Sequence, residues 1–328
     1  MLRLGLQIPN FTYPGVATAE LFERVATVAV TAERSGFDTV MVMDHFYQLP
    51  MLGNPHDEMF EAYTLLGALA ARTERVQLGT LVTGVTYRNP AFLAKQATAL
   101  DVISSGRAFL GIGAAWYAEE HHALGFDFPP VAERFERLEE ALHICRAMFN
   151  GERPTFVGKH YRVHDAANVP GPVRPEGIPV MVGGSGERKT LRIAARHADL
   201  WNTTAPFREL PHKIEVLARH CADIGRDPGT IAKSPLGSLF LADTMEAAKA
   251  KQYATLRRRG IDPDQLDEAG WREIGARQVV GDPDSVAEQV RDLLALGCDG
   301  VCFNMPADGW EPEAVARAGE LLAPLVNG

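Results

Sequence analysis

Gly36-Phe37-Asp38-Thr39-Val40-Met41-Val42-Met43-Asp44-His45 is the stretch on which the fold turns. It opens on a glycine, the residue that most readily ends a helix in a left-handed conformation. It turns through an aspartate, runs apolar without alternation, and closes on two titratable side chains. An apolar run with no polar alternation is a strand buried on both faces, as in a parallel sheet covered by helices. The same junction recurs at His197-Ala198-Asp199-Leu200-Trp201 and at Gly297-Cys298-Asp299-Gly300-Val301. Reading outward from these points predicts strands over 2–8, 38–43, 76–83, 108–112, 178–182, 200–202, 235–242 and 300–304. Helical spacing lies between them over 20–35, 59–73, 90–104, 131–149 and 188–198. Eight strand–helix units predict a (β/α)8 TIM barrel with insertions in its βα loops, one unit spanning 1–328.

The chain has 328 residues, longer than the roughly 250 typical of such a barrel. The excess is expected in four insertions, over 54–58, 114–130, 151–175 and 257–278. The third carries a predicted hairpin of Thr155-Phe156-Val157 and Tyr161-Arg162-Val163. A net charge of −9 argues against nucleic-acid or anionic-membrane partners, which need basic surfaces. No run of 18 apolar residues and no signal-peptide pattern occur, so a cytoplasmic protein is expected. Cys145, Cys221, Cys298 and Cys302 show no zinc-type spacing and read as buried small hydrophobes.

Candidate chemistry gathers where strands end. Asp44-His45 places a carboxylate and an imidazole at the barrel mouth, with His45 able to move a proton and Asp44 to orient it. Thr80, Leu81, Thr83 and Gly84 close the third strand, and Gly113-Ala114-Ala115-Trp116 close the fourth with small residues and one aromatic wall. Gly183-Gly184-Ser185-Gly186 forms a glycine-rich turn into a helix, a cradle for a phosphate. His121-His122 beside Glu119-Glu120 has metal-ligand spacing without an obvious third ligand, so no metal is expected.

Taken in order, these blocks resemble the luciferase-like monooxygenase family, in particular its branch using the deazaflavin coenzyme F420. The matching stretches are 35–38 with Asp44-His45, 78–90, 106–113, 132–140, 179–184 and 197–202. The resemblance implies an F420-dependent oxidoreductase with a small-molecule substrate, acting as a homodimer. It implies that His45 and Asp44 stand at the redox centre and that Thr80-Leu81, with Thr83 nearby, backs the ring through a non-proline cis step. It further implies that Gly113, Ala114 and Ala115 line the ring edge and that Gly183, Gly184, Ser185 and Gly186 hold the cofactor phosphate, with Arg188 and Lys189 the nearest cations. The glucose-6-phosphate dehydrogenase branch carries a catalytic acid where this chain has Trp116, so Trp116 is expected to shape a more apolar substrate side. Three other readings stand beside this one: an FMN-dependent monooxygenase with a separate reductase, a metal-assisted hydrolase using His45, His121 and His122, and a non-catalytic F420-binding protein.

Overall fold

The computed structural model describes residues 3–327. Leu2, assigned to the first strand, lies outside them. β1 (Leu4–Ile8) leads to α1 (Leu21–Arg34), β2 (Thr39–Val42) to α2 (Ala62–Ala70), and β3 (Gln77–Thr80) with β4 (Thr83–Gly84) to α3 (Pro90–Ile103). β5 (Leu110–Gly113) is followed by α4 (Ala118–Leu124), α5 (Val131–Phe149) and the predicted hairpin, β6 (Phe156–Val157) and β7 (Arg162–Val163). β8 (Val180–Gly183) leads to α6 (Thr190–His197), β9 (Leu200–Thr203) to α7 (Leu210–Ala222), and β10 (Ala232–Leu241) to α8 (Met245–Arg258) and α9 (Glu268–Ile274). β11 (Gln278–Gly281), α10 (Pro283–Ala295), β12 (Val301–Asn304) and α11 (Pro312–Asn327) complete the chain.

The strands are parallel neighbours in the order β3-β2-β1-β12-β10-β9-β8-β5-β4. A parallel bridge between Leu78 and Ala108 joins β3 to the segment entering β5 and closes the ring. The expected third strand is split. Leu81 N still donates to Val42 O at 2.8 Å, so pairing with β2 runs one residue past Thr80. The chain then turns at a cis peptide between Leu81 and Val82, one step later than expected, and Thr83–Gly84 pairs with Ile112–Gly113 of β5. A ninth parallel strand, β11, which was not expected, begins where the expected 257–278 insertion ends and pairs with the second half of β10.

Alternation along β2 builds the core. Val40 and Val42 join α1 and α2 in the outer cluster, whereas Met41 faces the barrel interior with Leu81, Phe109, Met181, Leu200 and Cys302. The recurring junction also has a structural meaning. Asp38, Asp199 and Asp299 each accept, through Oδ2, an amide at the start of a neighbouring strand: Leu4 N at 3.0 Å, Val180 N at 2.8 Å and Lys233 N, the second residue of β10, at 2.9 Å. Gly36 and Gly297 take the left-handed turn at φ +101° and +96°, whereas the His197 junction turns without it, Ala198 lying at φ −87°. All four cysteines are free and buried. Among the described residues, no helix is long and apolar enough to cross a membrane.

Candidate active site

A cavity of about 290 Å³ opens at the C-terminal ends of the strands, where barrel active sites lie. Its lining includes Asp44, His45, Leu81, Thr83, Gly113, Ala114, Ala115, Trp116, Gly183 and Gly184, which the sequence singled out. It also includes Val82, Tyr87, Thr190, Asn202, Thr204 and Leu236, which it did not. Thr80, Ser185 and Gly186 are not in the wall. Thr80 is buried behind it, its hydroxyl bonded to Gly111 O at 2.9 Å and Thr83 Oγ1 at 2.8 Å.

The turn between β4 and its neighbours shapes the floor. A Cβ on Gly183 would stand 2.8 Å from both methyls of Val82, and one on Gly113 would stand 3.0 Å from one of them. Val82 thus fills the space these glycines leave, and the glycines are required by the floor of the cavity as well as by anything lying above it. Past Gly183 the chain turns into α6. Gly184 N donates to Asn202 O at 2.9 Å, while the amides of Ser185 to Lys189 have no backbone acceptor among the described residues. Arg188 and Lys189 are exposed beside this turn, and Glu187 carries an ion pair to Lys213 at 2.7 Å. The cationic patch expected here is therefore partly balanced by its own carboxylate.

Asp44 and His45 have different partners. Consecutive residues of an extended segment point to opposite sides, and Asp44 turns to Arg88, which grips both its oxygens at 2.7 and 2.9 Å and reaches Glu61 at 2.7 Å. Burial raises the Asp44 carboxyl, against the opposing pull of Arg88. The expectation that Asp44 orients His45 is corrected here. His45 Nδ1 lies 2.6 Å from Glu120 Oε1, and Nε2 has no protein partner among the described residues. Glu120 is fully buried on α4 and also accepts from Phe46 N at 2.9 Å and from the Tyr87 hydroxyl. Burial pushes the Glu120 carboxyl up, but His45, Tyr87 and the Phe46 amide outweigh it and hold it below the usual glutamate range.

Glu120 follows Trp116 by four residues, the chain passing from the extended Tyr117 into the first turn of α4. The fourth loop therefore does bring an acid against His45, from a cluster that the sequence offered only as metal ligands without a third partner. The signal available was Glu119-Glu120-His121-His122 at the start of a short helix, which does not say which carboxylate points inward. Trp116 is 52% exposed and stands at the rim with its ring 5.9 Å from that of His45. His121 is buried away from the cavity. Its Nδ1 meets Tyr117 O and its Nε2 meets the Thr86 hydroxyl, both at 2.6 Å, leaving neither nitrogen for a metal. Among the described residues no three His, Cys, Asp or Glu side chains converge as a metal site.

A parallel barrel with a histidine and small residues around a mouth cavity defines an α/β-barrel enzyme. The family model described as luciferase-like monooxygenase matches residues 2–300, and the chain belongs to that family. It is 40% identical to a Kineococcus radiotolerans protein named F420-dependent glucose-6-phosphate dehydrogenase, over 88% of this chain and 90% of that one. A protein of the same name from Nakamurella multipartita is 32% identical over 97% of each chain. Among solved structures, an F420-dependent secondary alcohol dehydrogenase is 20% identical with a TM-score of 0.80, covering 99% of both chains. Coenzyme F420-dependent tetrahydromethanopterin reductase from Methanopyrus kandleri is 18% identical with a TM-score of 0.78, covering 99% of this chain and 98% of that one. These two share the fold.

Proposed function

We propose that the chain is an F420-dependent oxidoreductase. It moves a hydride between the deazaflavin and a small alcohol, carbonyl, imine or activated alkene, with His45 giving or taking the accompanying proton. The observation that carries this reading is His45 in the cavity wall with Nδ1 engaged and Nε2 free, beside the floor made by Leu81 and Val82. The names of the relatives support F420 over FMN.

The residues present fit such a coenzyme. The cavity is close to the lower end of the roughly 300–1,000 Å³ of ligand sites; Gly113 and Gly183 let Val82 form its floor, and Ala114, Ala115 and Gly184 add only small groups to its wall, which suits a flat ring. Ser185 to Lys189 offer unengaged amides at the start of α6 for a phosphate, with Arg188 and Lys189 beside them. When bound, a deazaflavin exchanges a hydride at one carbon and does not activate oxygen. Nε2 of His45 would take the hydroxyl proton as an alcohol loses its hydride, and return it when a carbonyl is reduced. Trp116 would close the substrate side at the rim.

The test is a screen of alcohols and carbonyls, glucose 6-phosphate among them, read by the change in F420 absorbance. His45→Ala is expected to bind F420 like the parent while turnover falls by roughly 10²–10⁴-fold. Turnover near the parental rate in that variant removes His45 from the chemistry. The resemblance also supports a homodimer. Phe92 and Ile103, both exposed on α3, provide an apolar face for it. The free, buried cysteines are consistent with a reducing compartment, and we place the protein in the cytoplasm.

A further inference from the structure

We propose that Glu120 is a positioning residue that holds His45 in its Nδ1–H tautomer and so makes Nε2 the proton-accepting nitrogen at the cavity. The proposal rests on the reading of His45 as the proton-transfer group and assigns the residue that makes it one.

The hydrogen-bond geometry leaves little freedom. Glu120 is fully buried, with Oε1 shared by His45 Nδ1 and the Tyr87 hydroxyl and Oε2 taken by Phe46 N. An ionised carboxylate only accepts, so the imidazole nitrogen against it must carry the proton. The other nitrogen then presents its lone pair, and His45 lines the cavity. When Nε2 takes a proton, the resulting imidazolium already lies against a buried carboxylate, so no unpaired buried charge is created. The remaining groups near His45 do not compete. Trp116 and Tyr117 meet its ring edge-on at 5.9 and 6.0 Å, Tyr87 reaches it only through Glu120, and both oxygens of Asp44 are held by Arg88.

Glu120→Gln separates this role from a merely structural one. The Phe46 amide can only donate, so the glutamine must turn its carbonyl oxygen to it. Its NH2 then occupies the place of Oε1. The Tyr87 hydroxyl can rotate to accept one of those hydrogens, and His45 can accept the other only by surrendering the proton on Nδ1. The substitution is therefore expected to invert the tautomer to Nε2–H.

Nitrogen NMR of the full chain labelled with ¹⁵N-histidine reads this directly and without coenzyme, with the His45 signals assigned from a His45→Gln variant. The expected result is Nδ1–H in the parent and in Tyr87→Phe, which keeps the carboxylate, and Nε2–H in Glu120→Gln. Alcohol oxidation by Glu120→Gln should fall steeply, since a wrong tautomer behind a catalytic histidine costs up to about 10⁴-fold in kcat, with the dissociation constant for F420 unchanged. An Nε2–H tautomer in the parent overturns the proposal, whether or not the variant folds. So does a Glu120→Gln spectrum that keeps Nδ1–H. Failure of the chain to bind F420 would strike at the proposed function instead, and would leave the tautomer result standing.

Discussion

Glu120 couples the site to acidity through its own protonation. Its folded pKa lies below that of an unfolded glutamate, near 4.3, because His45, Tyr87 and the Phe46 amide hold the ionised form against the cost of burial. A depressed carboxylate contributes stability that is present above the unfolded value and lost as pH falls through the folded one. Urea unfolding followed from pH 6 to pH 3 should therefore show stability falling at the acid end, and Glu120→Gln should flatten that fall. Equal slopes for both proteins would mean that the carboxylate is not held as described. Gly183 offers a second test. An added Cβ would press on both Val82 methyls at 2.8 Å; overpacking of this kind costs about 1–3 kcal/mol. Gly183→Ala should fold with a lowered melting temperature and bind F420 at least tenfold more weakly. Unchanged binding would show that the floor made by Val82 does not support the ligand. His45 and the glycines were legible in the sequence as polar or small residues at strand ends. Their partners were not, because Arg88, Glu120 and Val82 reach them only through tertiary turns that one-dimensional spacing does not report.

The junction aspartates act between elements. Each caps an amide in the first two residues of a neighbouring strand, and Asp199 adds an ion pair to Arg146 at 2.8 Å. Asp199→Ala leaves the Val180 amide without that acceptor, and a buried donor left unsatisfied costs about 1–3 kcal/mol. Chemical denaturation should report a loss in that range, additive with Asp38→Ala because the two junctions share no partner. A change under a few tenths of a kcal/mol would make the recurrence a matter of turn propensity alone. The alternation of strand and helix was readable from uninterrupted apolar runs, and α5 occupies 131–149 as expected. The helices after 198 were not given bounds, and β11 and α4 show why elements escape. β11 has only Val279 and Val280 as its apolar run, too short to stand out beside the charged stretch before it. α4 spans only Ala118–Leu124 within a loop, and its inward face is polar, with Glu120 and His121 buried, so no apolar stripe marks it.

At the scale of the whole molecule, eight strand positions close into a ring; of the four expected insertions, 54–58 and 114–130 follow strands on the mouth side, whereas 151–175 and 257–278 follow the helices α5 and α8 and so are not βα loops. Against a net charge of −9, Arg188 and Lys189 stand at the turn proposed to meet a phosphate. Sedimentation should report twice the 35.8 kDa chain mass, and a stable species of 35.8 kDa would exclude the homodimer. The proposed coenzyme is open to the most direct test. The purified full chain, stripped of bound cofactor, is titrated separately with F420 and with FMN and followed by fluorescence. Saturable binding of F420 at micromolar or lower concentration, with FMN binding absent or far weaker, is the predicted result. Tight binding of FMN with no binding of F420 would contradict it and return the chain to the oxygen-dependent side of its family.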